Sequence, residues 1–471
     1  MKATERGIQK HRQLPEGGCS QRVSAEQKEY ARACAPPRMA ETDITSASGL
    51  RTRLLEPILD PDNLYQAAKH VIRNKGAGGI DGMQVHELSA YLDRHQEEIV
   101  KQIQEGNYRP KPVRRKEIKK ENGSMRKLGI PTVVDRWIQQ AISQVLGPIF
   151  EEQFSEHSYG FRPRRSAHDA LKQCQTNIQD GYTYVVDMDL EKYFDTVNQS
   201  RLLQLLSETI KDGRVIALIH RFLESGIMVD GMFQESEEGV PQGGPLSPLL
   251  GNVMLNECDQ ELTRRGHRFV RYADDMMIFC RSKKAAQRTL EKILPFIEGK
   301  LFLRVNREKT QVANATRVKF LGYGFYRRRG EVRMRVHPKS VKKLKDKLRS
   351  ITARSNGKGI EQRKRELNQL IRGWINYFRL ADIKGITAQI DSWVRDRIRM
   401  ITWKRWKRIR TRFANLKRLG IKADQAWQWA NTRKSYWRTA NSPILRTTLT
   451  KDRFLAQGYI SLQRYYLDQT A

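Results

Sequence analysis

The sequence predicts an α+β protein in which an antiparallel sheet is followed by a basic, mainly helical region. Alternating apolar and acidic residues in YTYVVDMDL (182–190) predict a strand with carboxylates on one face. The stretch RFVRYADDMMIFC (268–280) predicts two short strands joined by a tight turn. After Pro338 the composition becomes basic and helical, and seven of the eight tryptophans lie beyond residue 370.

Two acidic clusters are the candidate centre of the chemistry. Asp274 and Asp275 occupy the tip of the predicted hairpin, where adjacent carboxylates repel each other among apolar residues. Asp189 lies on the other acidic strand, with Asp187 deeper on the same face as a supporting residue. An Asp-Asp pair alone is more often a solvated turn. Because Mg²⁺ prefers carboxylate oxygens, the second strand favours a site for two Mg²⁺ ions held by Asp189, Asp274 and Asp275.

The charge of the chain indicates its partner. The 471 residues include 87 Lys and Arg against 52 Asp and Glu, a formal net charge of +35. A surface with this excess repels itself unless it binds a polyanion, although charge does not choose between RNA and DNA. There is no long apolar run, and the five cysteines include no C-x-x-C pair. These features favour a cytoplasmic protein with reduced thiols and no membrane contact.

The N-terminal part contains two segments without regular patterning. Residues 1–50 are polar and aperiodic, which predicts a disordered extension, and Met39 is a candidate alternative start. Helical patterning begins at Arg51 and is interrupted by NKGAGGIDG (74–82). This loop either lets the backbone approach another chain closely or is a flexible turn. It lacks the Gly-Lys-Ser/Thr of a P-loop.

Two further stretches are candidates for contact with a nucleotide. RRKEIKKENGSMRKLGIP (114–131) predicts a basic hairpin in which Lys120 and Arg126 flank the turn, where cations suit a triphosphate. Ordinary solvated hairpin charges are the alternative. GVPQGGPLSP (239–248) opens a predicted helix, and its glycines beside Gln242 suit close approach to a base pair, although such residues also make simple turns.

Several basic residues are candidates for nucleic-acid contact. Arg162, Arg164 and Arg165 alternate with aromatics in SYGFRPRRSAHDA, which suits a template strand or, alternatively, a packed loop. Lys309 in LRVNREKT is a candidate general acid or phosphate contact. The FLGYGF stretch around Gly322 is a candidate primer grip.

The basic C-terminal region adds Trp374, Arg433 and Lys434 as candidate nucleic-acid contacts. Most tryptophans there are expected to form the core of a helical bundle, leaving the Arg faces for binding. No Cys follows residue 280 and no His follows residue 337. A metal nuclease with His or Cys ligands is therefore excluded from the last segment, residues 421–471.

From about Leu54 onward the chain resembles the bacterial group II intron-encoded reverse transcriptases/maturases, most closely the compact class C lineage that lacks an endonuclease domain. The matching motifs follow one another in the family's order: NKGAGGIDG, RKLGIPTVVDRWIQQAI, SYGFRPRRSAHDA, VVDMDLEKYFD, GVPQGGPLSPLL, RYADD, LRVNREKT, FLGYGF, GWINYFRL and NTRKSYWRT. The resemblance implies a right-hand polymerase fold. Fingers and palm would occupy residues 51–335, a helical thumb 336–420 and a small DNA-binding domain 421–471.

The resemblance also implies functions for individual residues. The three carboxylates would bind Mg²⁺, Lys120 and Arg126 would hold the triphosphate, and Gln242 would contact the nascent base pair. Phe194 would be a gate whose ring excludes a ribose 2′-hydroxyl. The partners implied are the intron RNA, a DNA target and primer, and dNTPs. Such a protein assists splicing of its intron and copies it into DNA, associating with the nucleoid when it does so.

Three other functions remain open at this stage. A maturase that only folds RNA is disfavoured because the three carboxylates and Gln242 are present. A related reverse transcriptase recruited to phage defence is disfavoured by GWINYFRL, and an RNA-dependent RNA polymerase by Phe194. The sequence does not define the intron, its target, the priming strand or the oligomeric state.

Overall fold

A computed structural model of the chain describes residues 52–119, 125–229, 231–236 and 238–470. The extension predicted over residues 1–50 and the candidate start at Met39 lie outside these ranges. The described residues divide into two compact units, the first ending at Met334 and the second beginning at Arg335. We call them the sheet unit and the helical unit.

The sheet unit combines helices with three small sheets. Its helices are α1 (Leu55–Leu59), α2 (Pro61–Asn74), α3 (Leu88–Gln104), α4 (Val133–Glu151), α5 (Ala167–Gln179), α6 (Gln199–Thr209), α7 (Gly213–Leu223), α8 (Ser247–Arg264) and α9 (Lys283–Gly299). Its strands are β1 (Val113–Lys119), β2 (Met125–Ile130), β3 (Tyr184–Met188), β4 (Ile227–Val229), β5 (Met232–Gln234), β6 (Arg268–Tyr272), β7 (Asp275–Cys280), β8 (Gln311–Asn314), β9 (Tyr323–Arg328) and β10 (Glu331–Val336). The predicted α+β class is confirmed.

The sheet that carries the acidic strands has the order β6-β7-β3-β8, with every described pairing antiparallel. Strands β6 and β7 form the predicted hairpin, closed by the two-residue turn Ala273–Asp274. Apolar side chains from this sheet pack under α8, which is buried along most of its length. Asp189 directly follows β3, and Asp274 lies in the turn between β6 and β7 with Asp275 at the start of β7.

A second sheet has the order β2-β1-β4-β5. Strands β1 and β2 pair antiparallel from Arg114 opposite Ile130 to Lys119 opposite Met125, which confirms the predicted basic hairpin. The Gly129 N–H donates to the Gln242 carbonyl at 2.8 Å. A side chain at Gly243 would collide with the Gly129 oxygen, so this hairpin and the GVPQGG loop make direct backbone contact.

The Gly-rich loop at residues 74–82 packs against its own chain. A Cβ at Gly79 would lie 2.6 Å from the Cα of Thr132, so only glycine allows this approach. Arg136 Nη2 donates to the Ala77 carbonyl at 2.7 Å. The close backbone approach in the structure is made to the segment of the same chain that begins α4, and approach to another chain stays a prediction.

The helical unit consists of α10 (Pro338–Ile351), α11 (Ile360–Phe378), α12 (Lys384–Arg405), α13 (Ile409–Arg418), α14 (Ala423–Ala430), α15 (Tyr436–Ala440), α16 (Pro443–Thr448), α17 (Lys451–Ala456) and α18 (Leu462–Thr470). Asp391 in α12 ties the last helix to the bundle, accepting hydrogen bonds from Ser461 Oγ and the Leu462 amide. Trp403 is buried with Trp406 beside it. No described helix is both long and apolar enough to cross a membrane.

Candidate active site

The pairing of β3 with β7 brings the two acidic clusters together. Met188 pairs with Met276, so the next position in this antiparallel register places Asp189 opposite Asp275. Asp187 pairs with Met277 and points to the same face as Asp189. The hairpin turn adds Asp274 beside them. Four carboxylates from two strands therefore converge at one edge of the sheet.

The backbone of the hairpin turn is held in an uncommon conformation. Ala273 has a φ of +57°, a left-handed geometry that costs an alanine about 1–2 kcal/mol. Gly160 lies directly against the turn, since a Cβ there would lie 2.2 Å from the Ala273 nitrogen. The preceding segment also joins the sheet edge, where the Tyr159 amide donates to the Arg271 carbonyl at 2.8 Å. The SYGF stretch therefore packs directly against the backbone of the acidic turn.

The carboxylates of this cluster repel each other, and the effect is seen in their pKa values. Burial and the neighbouring carboxylates of Asp274, Asp187 and Asp189 raise the pKa of Asp275 to about 7. Part of the Asp275 side chain still meets solvent, so screening weakens this repulsion. Burial, opposed by a hydrogen bond from Gln311, also raises the pKa of Asp187. A cation bound here would relieve both effects.

Lys309 provides the positive charge closest to Asp189. Its Nζ lies 2.9 Å from Asp189 Oδ2, and both side chains are substantially exposed. The loop that carries Lys309 is fastened to the end of β3, because the Asn306 amide donates to the Asp189 carbonyl at 2.9 Å. The Asp189 amide in turn donates to Thr310 Oγ1 at 3.2 Å. The predicted general acid or phosphate contact thus lies beside the acidic cluster.

The donor set fits Mg²⁺ by its chemistry, since all the candidate ligands are carboxylate oxygens. Within the described residues, no three His, Cys, Asp or Glu side chains already enclose a metal position. One of the carboxylates, Asp189, binds the ammonium group of Lys309 through Oδ2. A metal ion that binds the same oxygen would compete with Lys309 for it.

The loop that contains Gln242 binds the segment that contains Phe194 through two hydrogen bonds. Gln242 Nε2 donates to Asp195 Oδ1 at 3.1 Å, next to Phe194 in the chain. The Val240 amide donates to the Phe194 carbonyl at 2.7 Å, which fastens the GVPQGG loop to this segment. The Phe194 ring packs edge-on against Tyr193, whose hydroxyl donates to the Gly251 carbonyl in α8 at 2.7 Å. Hydrogen bonds therefore connect the segments of the predicted gate, Phe194, and of the predicted base-pair contact, Gln242.

The candidate template and triphosphate residues have different surroundings. Arg162 is buried, and its guanidinium binds Glu151 and the carbonyls of Ser155 and Ser158, a structural role that does not fit a template contact. Arg164 is exposed, and Arg165 lies over the Tyr159 ring. Lys120 lies outside the described residues.

Arg126 lies in β2, where its backbone pairs with Ile118. Gly322 has a φ of +84° and forms, with Leu321, the two-residue turn between Phe320 and Tyr323.

In the helical unit, the three candidate residues separate into core and surface. Trp374 is buried against Phe378, with ring centroids 4.9 Å apart. Its position does not suit stacking on a base. The expectation that most tryptophans of this region form the core is wrong, because of the seven described tryptophans beyond residue 370 only Trp374, Trp403 and Trp406 are buried, whereas Trp427 and Trp437 are exposed. Arg433 and Lys434 are exposed in the segment between α14 and α15.

Two features near the acidic turn were not recognised in the sequence. Lys319 is exposed, and its charge counteracts the rise in the pKa of Asp275. Arg271 is fully buried and binds Asp259 and Asn252 of α8. The sequence signal was the second arginine of the strand RFVRY, which lies between apolar residues and a tyrosine directly before the acidic turn. Its partners lie 12 and 19 residues away on a helix, where no short motif reveals them.

Comparison with known proteins agrees with this geometry. Residues 118–325 match the profile of the family described as "Reverse transcriptase (RNA-dependent DNA polymerase)", and residues 341–420 match "Group II intron, maturase-specific domain". Protein YkfC of Escherichia coli is 35% identical over 326 residues, which cover 60% of this chain and 86% of that protein.

A second relative and a solved structure complete the comparison. The group II intron-encoded protein LtrA of Lactococcus lactis is 31% identical over 374 residues, covering 63% of this chain and 62% of LtrA. The chain thus spans less than two thirds of LtrA. A solved Cas6-RT-Cas1–Cas2 complex matches with 25% identity and a TM-score of 0.34, covering 52% of this chain and 43% of that one.

The fold, the convergent carboxylates and the first profile define the class: the chain is a reverse transcriptase. The maturase-specific region and the similarity to LtrA define it further. The chain belongs to the family of group II intron-encoded reverse transcriptases/maturases.

Proposed function

We propose that the chain copies its intron RNA into DNA with two Mg²⁺ ions held by Asp189, Asp274 and Asp275. The observation that carries this proposal is the convergence of these carboxylates from the ends of β3 and β7, with the pKa of Asp275 raised by burial and by its neighbours. Mg²⁺ bound there would activate the primer 3′-hydroxyl and neutralise the charge of the triphosphate. The substrates are dNTPs, an RNA template and a DNA primer at the target site.

The surrounding residues then position the substrates. Phe194, fastened through its carbonyl to Val240, excludes the ribose 2′-hydroxyl, and Gln242 contacts the nascent base pair. Lys120 and Arg126 hold the triphosphate. Lys309, beside Asp189, acts as a general acid toward the leaving pyrophosphate or contacts the phosphate directly.

The helical unit supplies the second part of the function, binding of the intron RNA during splicing and of the DNA target. Its cations support this assignment: Arg433 and Lys434 are exposed, and the buried Trp374 leaves the basic faces free for the polyanion. We assign residues 336–420 to the thumb and 421–471 to the DNA-binding domain. Arg164 and Gly322 in the sheet unit serve the template and the primer.

The test compares the intact chain with Asp274→Ala in two assays. Primer extension on an RNA template with dNTPs and Mg²⁺ should fall by about 1,000-fold or more, because several kcal/mol of transition-state stabilisation depend on the metals. Binding to the intron RNA and assistance of its splicing should persist. Loss of both activities together, in a variant that folds normally, would contradict the proposal of separate surfaces.

A further inference from the structure

A buried ion pair lies directly beneath the acidic turn. Arg271 of β6 and Asp259 of α8 are both completely inaccessible to solvent. Arg271 Nε lies 2.8 Å from Asp259 Oδ1, and a second guanidinium nitrogen, Nη2, binds Asp259 Oδ2. The remaining nitrogen, Nη1, donates to Asn252 Oδ1 at 2.9 Å and to the Ala273 carbonyl at 3.1 Å. The guanidinium therefore links α8 to the residue that precedes Asp274.

Asn252 extends the same network to the other side of the turn. Its Nδ2 donates to the Gly160 carbonyl at 2.9 Å, while its Oδ1 accepts from Arg271. Gly160 is the residue whose backbone lies against Ala273. One helix thus holds both the turn and the segment that supports it, through two side chains.

Stability alone does not explain a charged pair at this position. Removing two charges from water costs several kcal/mol per ion, and a buried pair is often no better than apolar residues of similar volume. The planar guanidinium, however, can meet three acceptors in fixed directions at once, which a lysine ammonium on a flexible stem does not reproduce. The geometry of the network is therefore its specific contribution.

We propose that Arg271, held by Asp259 and Asn252, is the positioning residue that fixes the acidic turn for divalent-metal binding. By binding the Ala273 carbonyl it maintains the left-handed conformation that presents Asp274 and Asp275 together. The inference rests on the proposed two-metal function. Weakening the network should loosen the ligand geometry and lower metal affinity more than nucleotide affinity.

The experiment measures primer extension by the full chain against Mg²⁺ concentration, with thermal unfolding of each variant alongside. Arg271→Lys retains the positive charge and loses the planar guanidinium that binds three acceptors at once. It should raise the half-saturating Mg²⁺ concentration by about tenfold while changing the KM for dNTP less than threefold. Asn252→Ala, which leaves the ion pair intact, should produce a smaller shift in the same direction. It carries the test if Arg271→Lys does not fold.

Arg399→Lys is the matched control. Arg399 is a buried arginine of the helical unit that pairs with Asp396 and binds the Leu449 carbonyl. This variant should lower the unfolding temperature without moving the Mg²⁺ dependence. An unchanged Mg²⁺ dependence in folded Arg271→Lys, or in Asn252→Ala where Arg271→Lys does not fold, would overturn the inference alone. A wild-type chain that extends no primer in Mg²⁺ would overturn the proposed function with it.

Discussion

Buried arginines serve different purposes in the two units. In the sheet unit, Arg271 binds the carbonyl of Ala273, next to a cluster of carboxylates. In the helical unit, Arg399 binds the Leu449 carbonyl, at the end of a short helix. Both groups have acidic partners. The two arginines differ in the backbone carbonyl that each one binds, Ala273 for Arg271 and Leu449 for Arg399. A buried arginine therefore indicates an active site only where it binds the backbone of a functional turn.

The units also differ in where their conspicuous residues lie. In the sheet unit, Asp189 and Asp274 belong to clusters that converge although these two residues are 85 positions apart in the chain. In the helical unit, Trp374 belongs to the core while Arg433 and Lys434 lie at the surface. Chemistry is therefore expected to depend on single side chains in the first unit. Binding is expected to depend on summed surface charge in the second.

The largest expected effect is on the rate of primer extension, and it differs between variants of Asp189 and of its partner Lys309. Asp189→Asn should reduce the rate of primer extension by about 1,000-fold, because it removes a metal ligand. Lys309→Ala should reduce kcat by about 100-fold, as expected for loss of a general acid. It should also lower the half-saturating Mg²⁺ concentration, because the ammonium 2.9 Å from Asp189 competes with the metal.

Steady-state kinetics across a Mg²⁺ titration separates these two effects. Glu308 is the adjacent exposed residue, and Glu308→Ala is the control. A higher Mg²⁺ requirement in Lys309→Ala would show that the lysine supports metal binding instead of competing with it.

The next effect concerns selection of the sugar. Phe194→Ala should reduce discrimination against ribonucleotides by about 10- to 100-fold, because the ring that meets the 2′-hydroxyl is removed. The measurement is the ratio of kcat/KM for dNTP and for the matching NTP. Phe296 is a partly buried aromatic of α9 in the same unit, and Phe296→Ala is the control. Equal ratios in both variants would remove Phe194 from the role of gate.

A smaller effect is expected from the surface of the helical unit. The double change Arg433→Ala and Lys434→Ala should weaken DNA binding by about tenfold and reduce the slope of log K against log salt by about 2. Primer extension on a short RNA template should be nearly unaffected. Lys284→Ala, an exposed cation of α9, is the control.

Trp374 sharpens this test. Trp374→Phe should leave the salt dependence intact, since the ring is buried. A salt slope that falls in Trp374→Phe, with normal unfolding, would return this tryptophan to the binding surface.

The smallest effect is a gain in stability at the catalytic cluster. Asp275→Asn removes repulsion from three neighbouring carboxylates. In metal-free buffer it should stabilise the fold by about 1–2 kcal/mol, a figure reduced for the partial exposure of the group. Added Mg²⁺ should stabilise the wild-type chain and leave the variant unchanged. Thermal unfolding with and without Mg²⁺ measures both, and a variant less stable than wild type in metal-free buffer would argue against repulsion at this site.

The features that were predictable from the sequence are the local ones. Period-two alternation around Asp187 and Asp189 predicted a strand, which the structure forms as β3. The RYADD hairpin formed as expected because its turn is only two residues long. Each of these depends on neighbouring residues, so sequence pattern is sufficient.

The features that were not predictable depend on partners distant in the chain. The core position of Arg162 follows from Glu151 and two carbonyls, which a motif of alternating aromatics and arginines does not reveal. The pairing of Lys309 with Asp189 spans 120 residues. The network around Arg271 depends on how α8 packs over the sheet. Such contacts are set by tertiary packing, and no local periodicity of the sequence reveals them.

The most direct measurement of the central claim is anomalous diffraction from the chain bound to primer, RNA template and an incoming dNTP, with Mn²⁺ in place of Mg²⁺. We expect two peaks about 3.5–4 Å apart, ligated by Asp189, Asp274 and Asp275. The absence of peaks from this edge of the sheet would disprove the proposed metal site.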